Sequence, residues 1–522
     1  MQSEVDGRRT GAVARMSMLA CVAIAALCVA MAPVLDEESY LAITANLDPL
    51  RPYHWWRPWP PWYGGSEPDA FVYAHPPLFL MWVGVVQEWS DGLLGSRWAA
   101  GLPFALLLGW AGGRLIEGTT RHSKVALALW LSSPIAVLGI QRGLMPDLMV
   151  TALCTTAVLG WRERTNPTLQ WIGGAALGLA AFTKYPAMAL VPVFVVHGWL
   201  TGTLRGRGRF ALAAATPWCL GEMWLAGVYG RFHLVEVLGR ASEISRGTGE
   251  GRALAVLARM ILSVSFVALL VRGARWVWAP SIVVGGAVCV WGWPPELTDV
   301  QRLFLVLCTI VGAAVLMPAL RRCWRSISGD RVHEDATLMA LWALSVVATV
   351  WGVHNFAAPR YLLGAMLPLA ILMVVEVGDR RAGRTLLWVG AGIQVVMAAV
   401  LTAAEHRFFE ASADIARATI VQFQPTHFTG EWAYRHEMDS AGVAFFADDA
   451  PSGSIIAAPT HSSPGALPAG LVEIGRVSAD ESTGIRLVAE AAQVGMYAET
   501  LGVLPIGWSS EPIEEVVVWR VP

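Results

Sequence analysis

A helical membrane protein with many spans, carrying a small α/β domain at its C-terminal end, is the fold class the sequence predicts. Three observations lead there. Of the 522 residues, 55% are hydrophobic and only 15% charged, too little charge for a soluble chain of this length. Apolar runs recur at residues 16–35, 125–140, 169–183, 253–271 and 303–320, in lengths that suit the hydrocarbon core of a bilayer. The formal charge of −2 is split into +8 up to residue 404 and −10 from Glu405 onward, so the tail differs in kind from what precedes it.

The first run, Met16 to Leu35, follows Arg8, Arg9 and Arg15 and contains Ala30-Met31-Ala32, a signal-peptide-like site. It is longer than a signal-peptide core and many spans follow, so it reads as an uncleaved first span. Asp36 to His75 is the first outer loop. Within it, residues 51–63 (RPYHWWRPWPPWY) are too rich in proline for helix interior and too aromatic for a free linker. They suit an aromatic belt at the membrane interface or a platform for sugar rings or a lipid chain. Pro76 to Trp89 is apolar but short of the roughly 17 residues a span needs, which predicts an interfacial or membrane-dipping helix.

Further spans are expected at 98–117, 123–141, 145–161, 169–184, 185–201, 210–229, 253–271, 276–293, 302–320, 337–353, 359–377 and 385–403. With the first span this makes about 13. Arginines cluster in the connections, at Arg162 and Arg164, Arg205, Arg207 and Arg209, Arg272 and Arg275, Arg321, Arg322 and Arg325, and Arg380, Arg381 and Arg384. By the positive-inside rule these loops are cytoplasmic, as is the N-terminus, in a multi-pass protein of the cytoplasmic (inner) membrane. The division is then a membrane domain, 1–404, and an extracytoplasmic domain, 405–522. In the tail, Gly453 to Pro459 and Val516 to Trp519 read as strands and Ser482 to Tyr497 as a helix. The exported tail has none of the seven cysteines, so it folds without disulfides. There is no zinc-site spacing and no basic patch with interleaved aromatics, which argues against nucleic acid as a partner.

Charges at the outer face carry the functional argument. The first span runs into Asp36-Glu37-Glu38-Ser39-Tyr40, and Gln141 to Asp147 lies at the same face. Carboxylates at a membrane boundary suit either a segment turning into water or a functional site, and Pro146-Asp147 is also an ordinary helix start. Lys184, one of two lysines, and Arg360-Tyr361 fall outside the positive-inside pattern. Snorkelling accounts for either alone. With Arg142 and His75 they form a set of cations able to hold a phosphate, opposite a set of carboxylates.

In order, these motifs are an Asp-Glu pair with a following Tyr, His75-Pro76-Pro77-Leu78, Arg142 with Asp147, Gly178 to Lys184, and Pro359-Arg360-Tyr361-Leu362-Leu363 with Pro368. The chain from about residue 12 to 400 resembles the GT-C membrane glycosyltransferases of the protein O-mannosyltransferase and aminoarabinose-transferase type. The resemblance implies an inverting transfer of a hexosyl or pentosyl group from a polyprenyl-phosphate sugar to an acceptor hydroxyl, on protein, lipid or glycan, in the cell envelope. It also implies Asp36 as general base with Glu37 in support, His75 at the donor phosphate, and Arg142, Asp147, Lys184, Arg360 and Tyr361 lining the donor site. Ser39 stands where many bacterial members carry Arg, and residues 51–63 match no family motif. Asp36, Glu37 and Asp147 are the oxygen ligands on offer to Mg²⁺ or Mn²⁺, though three carboxylates are not a metal signature. The competing readings are a lipid or sugar transporter (flippase), marked by charges at mid-membrane and paired broken helices, and a scaffold that binds a partner through its tail.

Overall fold

The computed structural model describes residues 11–27, 32–33, 36–45, 47–53, 75–90, 92–241, 249–263, 275–291, 297–329, 334–354, 357–446, 450–462, 467–479, 483–490, 492–497 and 501–522. Most of the Trp/Pro run at 51–63 lies outside them. The chain opens with α1 (Ala12–Ala26). The N–H groups of Gly11, Val13 and Ala14 donate to Glu117 Oε1 at 2.8, 2.9 and 3.4 Å, so a carboxylate satisfies orphan donors at the positive end of the helix. Next come α2 (Glu37–Thr44), with Asp36 at its N-cap, α3 (Leu78–Gln87) and α4 (Gly92–Thr119). Gly109 and Gly113 let α1 lie against α4, since a Cβ on either would sit 2.6 Å from Met18 Cα or 2.4 Å from Ala14 Cα.

α5 (Ser123–Ser132) and α6 (Pro134–Gln141) meet at a bend of 66°. Pro134 forces Ser133 into an extended conformation, and the helix breaks there. Of α7 (Pro146–Arg162), α8 (Pro167–Ala181), α9 (Leu190–Thr201, entered through a 3-10 turn at Tyr185–Ala189) and α10 (Gly208–Tyr229), α8 packs against both α7 and α10. They are followed by α11 (His233–Ala241), α12 (Gly249–Arg259), α13 (Arg275–Trp291), α14 (Asp299–Ile327), α15 (Glu334–Gly352), α16 (Leu363–Val377, entered through a turn at Pro359–Leu362) and α17 (Arg381–Phe423).

This is a multi-pass helical membrane protein. Among the described residues five helices are long and apolar enough to cross a bilayer, namely α4, α14, α15, the Pro359–Val377 segment and α17, with the α5–α6 pair as a sixth. The expected 13 spans are thus not confirmed: of them, the segments expected at 98–117, 123–141, 302–320, 337–353, 359–377 and 385–403 fall on helices or a helix pair of sufficient length and apolarity. Ala12–Ala26, Leu78–Gln87, Tyr185–Thr201 and Val277–Ala287 are apolar but shorter. Ion pairs join helix ends across the bundle. Arg162 Nε pairs with Asp335 at 2.8 Å, Arg121 with Asp379 at 2.6 Å and Arg321 with Glu376 at 3.4 Å.

α17 runs through residue 404 unbroken and ends among the strands of the tail. Those are β1 (His427–Phe428), then helix α18 (Trp432–Ser440), β2 (Ala444–Phe445), β3 (Ile455–Pro459), β4 (Val472–Ala479), β5 (Gly484–Arg486), β6 (Val488–Ala489), β7 (Val494–Gly495), β8 (Gly507–Ser509) and β9 (Glu514–Arg520). A five-stranded sheet, β2-β1-β3-β9-β4, has β1 parallel to both neighbours and β9 antiparallel to both of its own. Its core joins Ile415 and Ala416 of α17 to Phe428, Tyr434, Met438, Ala457, Val516 and Val518.

The helix expected at Ser482 to Tyr497 does not form. The segment pairs instead as β5 with β8 and β6 with β7. Its strand partners include residues more than 20 positions away, which local periodicity cannot register.

The close approach of α7 and α8 rests on Gly160 and Gly173, where a Cβ on Gly173 would lie 2.6 Å from Gly160 Cα. Gly173→Leu is expected to cost about 1–3 kcal/mol by overpacking, read as a lower melting temperature of the purified protein. Gly392→Ala, with open space around its Cβ position, is the neutral control.

Candidate active site

Three prolines each begin or break a helix beside a charge. Asp147 follows Pro146 in the first turn of α7, Arg360 follows Pro359, and Lys184 is extended (φ −160°, ψ 117°) two residues before Pro186. Proline presets φ for a helix start and has no N–H to leave unpaired. The three charged side chains converge and are buried. Lys184 Nζ donates to Asp147 Oδ1 at 2.8 Å, and Arg360 Nε lies 3.8 Å from Asp147 Oδ2. Arg360 also donates to Asp36 Oδ2 and to the Tyr361 hydroxyl, each at 3.3 Å. The Lys184 ammonium sits 4.3 Å from the Tyr361 ring centroid, and His354 stacks on the same ring at 3.9 Å. A cation over an aromatic face is stabilised by the ring quadrupole, the more so when desolvated.

Asp147, Lys184, His354, Arg360 and Tyr361 line a cleft, and Asp36 is not among its lining side chains. Asp147, Val150, Thr151 and Cys154 line it along successive turns of α7, joined by Leu190, Trp342, Val346 and Val350 from the facing helices. Charged side chains at helix starts and apolar ones along α7, α9 and α15 thus line the same cleft.

The other expected site residues are placed differently. Glu37 is fully buried, and Arg97 Nη2 and Nε donate to it at 2.5 and 3.0 Å; Nη2 also donates to the Ala32 carbonyl at 2.7 Å. This pair pins α2 to α4. Arg142 bonds Glu405 of α17, whose Oε1 also accepts from the Tyr497 hydroxyl at 3.0 Å; Arg142 is not among the side chains lining the cleft. The His75 carbonyl accepts from the Tyr53 hydroxyl at 3.0 Å, and its imidazole is within electrostatic reach of Asp147 and His354. Asp36, Asp147, Lys184, Arg360 and Tyr361 therefore form one connected cluster with His75 nearby, while Glu37 and Arg142 each sit in a pair of their own.

Arg97, His354, Glu405 and Tyr497 were not singled out from the sequence. Arg97 directly precedes a span on the outer side, the signal that marked Lys184 and Arg360. The carboxylates proposed for a divalent cation do not gather: Asp36 faces Arg360, Glu37 faces Arg97 and Asp147 faces Lys184. Among the described residues no three His, Cys, Asp or Glu side chains meet as a metal site, so the donor set does not fit Mg²⁺ or Mn²⁺.

Asp147→Asn would leave Lys184 buried without its counter-charge, a change expected to cost about 3–5 kcal/mol. Pairing it with Lys184→Met should restore most of the lost melting temperature, since the double variant leaves no orphaned ammonium.

No protein-family profile matches the chain, and no curated protein sequence does. Solved structures do match in shape. An oligosaccharyltransferase from Archaeoglobus fulgidus, AglB, in complex with an inhibitory peptide and a dolichol-phosphate, aligns at a TM-score of 0.47 and 13% identity, over 83% of this chain and 64% of that one. The chain thus spans under two thirds of the length of that enzyme. ArnT from Cupriavidus metallidurans aligns at a TM-score of 0.36 over 85% of this chain and 92% of that one, at 13% identity in the apo state and 12% bound to undecaprenyl phosphate.

Proposed function

We propose that the protein is a membrane glycosyltransferase that moves a sugar from a polyprenyl-phosphate donor to an acceptor hydroxyl on the non-cytoplasmic face. The observation that carries this reading is the Asp36–Arg360–Asp147–Lys184 chain of charges beside an apolar cleft. Two cations line that cleft, and of the two carboxylates paired with them Asp36 is the more exposed, at 24% against 10% for Asp147. The motif order described above supports the same reading.

In the proposed step the Asp36 carboxylate takes the proton of the acceptor hydroxyl as its oxygen attacks the anomeric carbon of the donor. The bond from that carbon to the phosphate oxygen breaks, and its electron pair leaves with the polyprenyl phosphate, inverting the anomeric centre. Lys184 and Arg360 stabilise the charge that develops on the phosphate, and Asp147 holds both cations in place. Glu37 supports Asp36 indirectly, through its pair with Arg97 at the start of α2. His75, Tyr361 and His354 complete the polar end of the donor site. Charges gathered at helix ends, rather than at mid-span, favour this over a transporter. The N-terminus in the cytoplasm, about 13 spans in the inner membrane and the domain from 405 outside belong to the same proposal.

Asp36→Asn is expected to lower transfer by at least about 10²-fold, while purified protein still binds undecaprenyl phosphate. Mass spectrometry of envelope glycans and glycolipids from a deletion strain complemented with either form reads the activity. Full transfer by the Asn variant would overturn the assignment. Arg360→Ala should instead weaken undecaprenyl phosphate binding directly.

A further inference from the structure

We infer that the C-terminal domain is part of the active-site framework, with Tyr497 and Glu405 acting as positioning residues for the turn that carries Asp147. The turn is closed by the Met145 N–H donating to the Arg142 carbonyl at 3.1 Å, and Asp147 follows directly. The Arg142 guanidinium is buried on Glu405, which belongs to the helix leading into the tail. Tyr497, from the tail, donates to the same carboxylate oxygen at 3.0 Å, and its ring lies 5.8 Å from the Arg142 guanidinium. Burial, reinforced by the Glu405 charge, raises the Tyr497 hydroxyl well above its ordinary pKa, so it remains a donor.

Tyr497 is itself held from both sides. Arg259 of α12, fully buried, donates to the carbonyls of Gly495 and Gly502, and the Met496 N–H donates to Leu487 O at 2.8 Å. Its ring packs on Trp432 at 5.5 Å and Phe409 at 5.9 Å. Trp432 has φ +66°, a left-handed conformation that a bulky residue adopts only when its surroundings impose it. The helix it begins, α18, lies against α2, the helix Asp36 caps. The tail thus reaches both segments that present the site's carboxylates, and at Arg142 the contact is a buried polar network whose loss leaves a charge uncompensated.

The full chain in nanodiscs tests this by two readouts, hydrogen exchange and binding of undecaprenyl phosphate; only the second rests on the proposed function. Tyr497→Phe removes one hydrogen bond and keeps the ring. It should speed exchange across residues 142–147 and weaken undecaprenyl phosphate binding by about three- to tenfold. Glu405→Gln should produce the same pattern more strongly, and Arg476→Ala, in an exposed ion pair of the sheet, should leave both readouts at wild-type values. A purely structural tail would change exchange within 484–504 alone, and that result, or wild-type exchange at 142–147 in both variants, would overturn the inference. If wild type fails to bind undecaprenyl phosphate, the proposed donor falls and the exchange readout still decides the positioning role.

Discussion

A carboxylate held between two buried cations organises this molecule. Asp147 receives Lys184 at 2.8 Å and faces Arg360 at 3.8 Å, and the buried Lys184 ammonium depends on it for a counter-charge. The requirement fixes three chain reversals at once, because each partner sits where a proline interrupts or begins a helix. Arg360 then reaches on to Asp36, so the geometry of the first outer loop is tied to helices more than 300 residues later.

That arrangement separates binding from reactivity. The cations that would receive a phosphate are buried and cross-braced, whereas Asp36 keeps contact with solvent at the N-cap of a short helix. In the proposed displacement, rigidity would serve the phosphate end and access the base end. Glu37 serves the same division. By locking onto Arg97 it anchors α2, while its neighbour Asp36 faces Arg360.

The spans were legible because their signal is local: long apolar stretches ended by arginines survive any error in tertiary placement. The clustering of Lys184, Arg360, Asp147 and Asp36 was legible in part for a related reason, since a lysine or arginine outside the expected charge pattern stands out without knowledge of contacts. What local pattern could not show were partnerships. Glu405 looked like the first residue of a soluble domain, yet it is a buried counter-charge on a helix that ignores that boundary. Residues 482–497 had a tolerable helical rhythm and became strands because their hydrogen-bond partners include Gly507 to Ser509. Arg142 was marked by its position, but its partner lay 263 residues away.

The length of α17 has a consequence for how the protein is made. Its 43 residues extend about 65 Å at 1.5 Å per residue, roughly twice the hydrocarbon thickness of a bilayer. The ribosome delivers Asp36 near the beginning of synthesis and Tyr497 near the end, with every span between them. Newly made chains therefore hold Asp36 and Asp147 long before Arg360 and Tyr497 exist. The Asp36–Arg360 pair and the Arg142–Glu405–Tyr497 contacts, which join the first third of the chain to its last, can close only when synthesis is nearly complete.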